Sequence, residues 1–273
     1  MKVRERLDRL MVDRGLAETR NRAQALIMAG RVRVEGRPVT KAGTAISPDV
    51  PIEVDEGTRW ASRGAHKLLR AFEAFPGLSA EGRACADLGA STGGFTDVLL
   101  AHGARRVFAV DVGYGQLLWR LASDPRVAVM DRTNARNLTA ADFPEVIDLA
   151  VCDASFISLR LILPAVDALL SPTGEAVVLI KPQFEAGRER LGAHGVVRDP
   201  AVHAAILREV TGFAEAETDL FVSDLTWSPI LGPEGNMEFL CRLTREDRGF
   251  LPDLDPEALV RAAHTALDGK RSL

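Results

Sequence analysis

From about residue 80 onward, short apolar runs alternate with stretches whose apolar positions recur at three- and four-residue spacing. The runs predict strands at 84–88, 107–110, 127–130, 149–152, 176–180, 220–226 and 237–243. The periodic stretches predict helices at 95–101, 116–123, 161–170 and 200–214, with a last helix at 255–267 opened by Asp-Pro. Regular alternation of this kind predicts an α/β fold, a doubly wound Rossmann-like sheet. Asp87, Asp111, Asp131, Asp153 and Lys181 fall at strand ends and so share the carboxyl rim of that sheet, where ligands bind. Acids at such positions also cap helices, so placement alone leaves their role open.

The first fifty residues read differently. Leu7, Leu10 and Met11 lie on one helical face, and Gly15 ends that helix; Thr19 caps a second helix running to Met28, with Gly30 as its stop. Val32 and Val34 then alternate with Arg31 and Arg33, Glu35-Gly36 turns the chain into Arg37-Pro38-Val39, and a strand at 50–54 closes a small α+β module. The expected division is a domain at 1–57, a linker at 58–64 and a second domain at 65–273. The second opens with a helix that carries Lys67 and ends at Pro76-Gly77.

Charge sharpens this division. The 273 residues carry a net −4, yet residues 1–47 hold 11 Lys/Arg against 5 acids, +6, which leaves −10 for the remainder. A basic module on an acidic body is the pattern of a nucleic-acid grip joined to an enzyme. No apolar run reaches the ~18 residues of a membrane span, and the charged N-terminus has no signal-peptide core, so a cytoplasmic protein is expected. Cys85, Cys152 and Cys241 sit in strand-like runs with no metal-ligand spacing, which predicts reduced core thiols and no metal.

The candidate chemistry starts at residues 87–97, DLGASTGGFTD, between a predicted strand and helix. Glycines here let the backbone pass close to a ligand. The spacing is not the dinucleotide G-x-G-x-x-G, and no Gly-Lys-Ser/Thr makes it a phosphate loop. Asp111 follows Gly89 by 22 residues, about the ~20-residue interval at which a strand-end acid reaches a ribose diol. An ordinary tight turn followed by a strand-end acid fits the same letters.

Two resemblances decide between these readings. RLDRLMVDRGLAETRNRAQALIMAGRVRVEG, within residues 4–36, resembles the S-four (αL) RNA-binding domain. Arg4, Arg6, Arg20 and Lys41 are its expected RNA contacts, and Arg63, Arg132 and Arg136 would continue the track on the second domain, through phosphates rather than base edges. SRGAHK, DLGASTGGFTD, VFAVDVGYGQL, CDASFISL, LIKPQFEAGRE, GVVRDP and SPILGPEGNMEF together resemble the TlyA (hemolysin A) family of ribosomal RNA 2′-O-methyltransferases, related to FtsJ-type enzymes, over residues 4–245. Gly64-Ala65, Trp60-Ala61 and Ala193-His194 depart from the family's usual letters and bear on local loop geometry.

The resemblance implies S-adenosylmethionine as cofactor, with Asp87, Gly89, Ser91, Gly93 and Phe95 around the methionine end, Asp111 on the ribose and Asp131 near the adenine. It implies a catalytic set of Lys67, Asp153, Lys181 and Glu238, with ribosomal RNA or ribosomal subunits as partner and a cytidine 2′-hydroxyl of 16S or 23S rRNA as target. In chemical terms a ribose hydroxyl is a weak nucleophile and needs a base held in line with the donor. Lys181 is the expected base and Lys67 an assistant or phosphate ligand, with Asp153 and Glu238 orienting the amines. The segment 183–200, with Arg188, Arg190, His194 and three glycines, is expected to be a mobile loop. An RNA-binding assembly factor with a silent methyltransferase domain is the alternative; it would be favoured by loss of any of the four. A base methyltransferase would show Asn/Asp-Pro-Pro-aromatic where Asp153-Ala154-Ser155-Phe156 stands.

Overall fold

A computed structural model describes residues 4–55, 59–246 and 255–267. The chain falls into two compact units, Met1–Arg59 and Trp60–Leu273.

In the first unit, β1 (Glu5–Arg6) leads into α1 (Leu7–Asp13), followed by α2 (Arg20–Met28), β2 (Val32–Val34), β3 (Arg37–Pro38), β4 (Ala45–Ile46) and β5 (Ile52–Val54). Thr19 caps α2, its side chain accepting from Arg22 N at 3.2 Å. β2 pairs antiparallel with both β3 and β5, while β1 pairs with β4, a two-residue ladder too short to leave a sequence pattern. Leu7, Met11, Ala23, Leu26, Ile27, Val32 and Val34 form the core. The wholly buried Asp8 carboxylate accepts from Arg6 Nε at 3.1 Å, Arg20 Nε at 3.0 Å and Gln24 Nε2 at 2.8 Å. These bonds, Arg6 foremost, hold its carboxyl well below the usual range against the opposing effect of burial.

The second unit contains α3 (Ala65–Ala74), β6 (Ala84–Leu88), α4 (Gly94–Ala101), β7 (Arg106–Val110), α5 (Trp119–Ala122), β8 (Val127–Met130), β9 (Ile147–Cys152), α6 (Leu163–Leu169), β10 (Leu170–Ile180), α7 (Pro182–Glu185), α8 (Pro200–Glu217), β11 (Phe221–Trp227), β12 (Phe239–Thr244) and α9 (Pro256–Leu267). Residues 60 and 61 belong to it: Trp60 and Ala61 pack on its core, and Ala61 N donates to Asp97 Oδ2 at 2.8 Å. Its seven strands lie in the order β8-β7-β6-β9-β10-β12-β11, and only β12 runs against the rest. Both faces are covered, which is why the central strands read as near-continuous apolar runs. One core holds Ala86, Leu88 and Phe108 against α6, α8 and α9; the other holds Cys85, Val107 and Leu149 against α3 and α4. No helix among the described residues is long and apolar enough to cross a membrane.

Two expectations are corrected. The helix expected over 116–123 shrinks to Trp119–Ala122, because the preceding residues fold back on the glycine loop, where Leu118 N bonds Thr92 O at 3.3 Å. The segment 183–200 is structured. It contains α7 and 3₁₀ turns at Arg188–Arg190 and Ala193–Gly195, and Arg190 bonds both oxygens of Glu209 on α8 at 2.7 and 3.0 Å.

The sheet order reverses between β6 and β9, and the crevice at their carboxyl ends is the ligand position of an open α/β sheet. Asp87 fixes one wall of it. The side chain is wholly buried; Oδ2 accepts from Thr96 N at 2.8 Å and Thr96 Oγ1 at 2.6 Å, tying α4 to the end of β6, and Oδ1 has no partner among the described residues. Burial pushes this carboxyl up to about 7. An acid whose folded value lies above its unfolded value, about 4, binds extra protons on folding. It therefore lends stability that is lost as pH rises from about 4 through about 7. Urea unfolding of Asp87→Asn, neutral at every pH, should show a smaller fall across this window than the parent protein. An identical fall would place the proton elsewhere.

Candidate active site

Lys67, Asp153, Lys181 and Glu238 come from four separate elements and meet at the crevice. Lys67 lies in the first turn of α3. That turn approaches α4 closely because a Cβ on Gly94 would stand 2.2 Å from Ser62 Oγ and 3.1 Å from Ala65 N. Asp153 follows β9, with its N–H bonded to Leu88 O at 3.1 Å. Lys181 and Glu238 flank the paired residues Ile180 and Phe239, so the antiparallel β10–β12 ladder sets them opposite each other.

The polar geometry centres on Asp153. Its Oδ1 lies 2.7 Å from Lys181 Nζ, and its Oδ1 and Oδ2 lie 3.3 and 3.2 Å from Lys67 Nζ. Lys67 Nζ is also 2.7 Å from Glu238 Oε2. Lys181 Nζ donates to Ser155 Oγ at 2.9 Å and to Asp153 O at 3.2 Å. Lys67, Lys181 and Glu238 are 7%, 4% and 0% exposed, so these are interior ion pairs and not solvated rim charges. Burial alone would lower the Lys67 ammonium, but Asp153 and Glu238 outweigh it and hold the amine above its ordinary value. Lys67 is thereby kept a cation. Ser155 is a contact that the sequence reading missed; its only signal was adjacency to Asp153.

Three cavities open from this corner. The first, about 510 Å³, is lined by Gly89, Ser91, Asp111, Gln116, Asn134 and Asp153, with Val110, Ala135, Ile157 and Ile162 as its apolar bed. A second, about 240 Å³, holds the four charged side chains beside Ser62, Ala90, Gly94 and Phe95. A third, about 340 Å³, runs from Ser155, Lys181 and Glu238 to Gln183 and Phe184.

The first cavity fits an adenosyl group. Gly89 adopts φ +89°, and a Cβ there would stand 3.1 Å from the backbone of Ala154, so a side chain would jam β6 against the β9 loop. Ser91 also takes positive φ, 47°, which points its N–H to Asp111 Oδ2 at 2.8 Å; Gly113 N donates to Oδ1 at 2.7 Å. The carboxylate is thus aimed while each oxygen keeps acceptor capacity for a diol.

The other cofactor candidates stand further off. Asp87 lies behind the loop, as described. Gly93, at φ +98°, is covered by Leu117 and Leu121, and Phe95 is 3% exposed, packed in the core with only an edge on the second cavity. Asp131 accepts from Gly115 N at 2.9 Å and does not line the first cavity. Asn134 and Gln116, which do line it, carried no separable signal in the sequence.

The basic candidates, Arg4, Arg6, Arg20, Lys41, Arg63, Arg132 and Arg136, are all exposed; Arg6 and Arg20 also bond the buried Asp8, and Arg132 is stacked 4.4 Å over the Tyr114 ring.

Comparison with known proteins agrees with this layout. Residues 60–245 match the FtsJ-like methyltransferase model and residues 5–52 match the S4 domain. The chain is 46% identical to the 16S/23S rRNA (cytidine-2′-O)-methyltransferase TlyA of Mycobacterium tuberculosis, covering 97% of both chains. It is 40% identical to Hemolysin A of Brachyspira hyodysenteriae over 86% of this chain and 98% of that one. Among solved structures, a candidate hemolysin from Streptococcus thermophilus superposes with a TM-score of 0.76 at 41% identity, with all of both chains covered. An FtsJ-like methyltransferase domain behind an S4 domain, with near-full-length identity to these proteins, means that the chain belongs to the TlyA (hemolysin A) family.

Proposed function

We propose that this protein methylates the ribose 2′-hydroxyl of a cytidine in ribosomal RNA, with S-adenosylmethionine as donor. The observation that carries the reading is the interior set Lys67–Asp153–Lys181–Glu238 at the junction of the three cavities. Gly89, Ser91 and Asp111 would hold the adenosyl part of the donor, whose sulfonium would supply the methyl. The third cavity would take the target nucleoside, and Lys181 Nζ, beside both, would accept the hydroxyl proton.

Charge supports this division of labour. Two carboxylates, Asp153 and Glu238, stand where the cationic donor would approach, with Lys67 held cationic between them. Asp153 and Ser155 fix the direction of the Lys181 amine, and Glu238 keeps Lys67 in place. Alignment of this kind supplies much of the barrier reduction in a transfer between two bound groups.

A silent assembly factor would have no use for two buried lysines held by two carboxylates, an arrangement costly to maintain without function. A carbon-methylating route through a thiolate is disfavoured too, because burial pushes the Cys152 thiol up to about 12. The exposed cations of the S4 domain would contact RNA phosphates.

Lys181→Ala should abolish methyl transfer to ribosomal subunits while calorimetry shows donor binding near that of the parent; unchanged turnover would remove Lys181 from its role. Alanine at Arg4 and Lys41 should weaken RNA binding and reduce the salt slope by roughly one for each phosphate no longer neutralised. If the slope is unchanged, neither residue binds phosphate.

A further inference from the structure

The third cavity contains a polar group that the transfer does not use. Gln183, in α7, lines it, and Gln183 Oε1 is buried without a hydrogen-bond partner among the described residues. A buried acceptor left without a partner is unfavourable, so such a group in a residue that lines a cavity is a candidate to meet a ligand donor. Glu238 Oε1, on the same cavity, also lacks a partner. Phe156 and Phe184, ring centroids 5.3 Å apart, and Leu191 supply the cavity's apolar surface, and His194, Glu234 and Asn236 complete the wall.

The wall is braced. Asn236 Oδ1 accepts from Val197 N at 3.1 Å and Asn236 O from Gly232 N at 2.8 Å, which ties the 192–197 and 232–236 turns together. Ser158 Oγ donates to Glu185 Oε2 at 2.7 Å and Leu159 N to Glu185 Oε1 at 2.7 Å, anchoring the helix that carries Gln183.

Resting on the methyltransferase reading above, we infer that Gln183 selects the base of the target nucleotide by pairing with the Watson–Crick edge of cytosine. The cavity begins at Lys181, where the ribose hydroxyl must lie, and about 340 Å³ is of the size that accepts a small ligand. A primary amide matches cytosine in one orientation: Oε1 accepts from the exocyclic N4 amine and Nε2 donates to N3. Uracil inverts both positions, presenting a carbonyl to Oε1 and an N–H to Nε2. Held in that orientation, and not turned by 180°, the amide would penalise uridine as well as bind cytidine, and a site that hydrogen-bonds its substrate rejects an analogue lacking the matching group far better than an apolar pocket does.

The test uses the full-length protein and ribosomal subunits from cells that lack it. The cytidine marked by the parent enzyme is first mapped, and subunits are then prepared from rRNA carrying uridine at that position. The parent should strongly prefer cytidine. Gln183→Ala should lose roughly ten- to hundredfold in kcat/KM on cytidine and little on uridine, so that the preference collapses. Gln183→Glu, nearly isosteric but without the donor, should also lose on cytidine. Calorimetric donor binding should be unchanged in both. A parent-like cytidine-to-uridine ratio in these variants overturns the assignment of Gln183 and leaves methyl transfer standing. Failure of the parent to mark any rRNA nucleotide overturns both.

Discussion

One carboxylate shared by two amines holds this active site together. Asp153 lies within ion-pair distance of both Lys67 and Lys181, and neither lysine has appreciable access to water. Two buried ammonium groups without a counter-charge would repel each other and forfeit their hydration, each cost running to several kcal/mol. Asp153 makes their proximity tolerable, and Glu238 adds a second negative charge to Lys67 alone. The amines are therefore inequivalent. Lys67 sits between two carboxylates and is held charged, while Lys181 shares one carboxylate and bonds the neutral Ser155 hydroxyl and a backbone carbonyl.

The fold supplies this arrangement through its sheet order. β6 and β9 are neighbours in space although two strands and two helices separate them in sequence, and their carboxyl ends bring Gly89 against the backbone of Ala154. The reversed strand β12 delivers Glu238 to the same rim where β10 delivers Lys181. α3 then carries Lys67 over the start of α4, a contact that depends on residue 94 being glycine. The three cavities are openings of one crevice, with Asp153, Ser155 and Lys181 each lining at least two of them.

Periodicity made most of this architecture legible. The strand expected at 84–88 matches Ala84–Leu88, that at 127–130 matches Val127–Met130, and the second helix starts behind its Thr19 cap, because strong apolar patterns and a capping side chain act locally. Short ladders such as β1–β4, and the folding of residues 112–118 onto the glycine loop, depend on tertiary contacts and leave no periodic trace. In the candidate site, the letters singled out Gly89, Asp111 and the four charged residues, which the fold brings to one crevice, but they do not show what Asp87 and Asp97 bond. Asp87 anchors Thr96, and Asp97 pairs with Arg120 and Ala61 N. Arg6 and Arg20 carry a second tie the letters do not show: both are exposed cations, yet each also bonds the buried Asp8. Gln183 carried no signal, since its significance lies in an oxygen that meets no donor.

The account turns on the proposal that Lys181 takes the hydroxyl proton beside Lys67, an amine held charged by Asp153 and Glu238. Its most direct test is the pH dependence of single-turnover methyl transfer on ribosomal subunits, with donor and subunit saturating so that binding does not contribute. The rate should climb with pH, as for a step that requires loss of one proton. A rate that stays level across the same range would contradict the assignment of a lysine base.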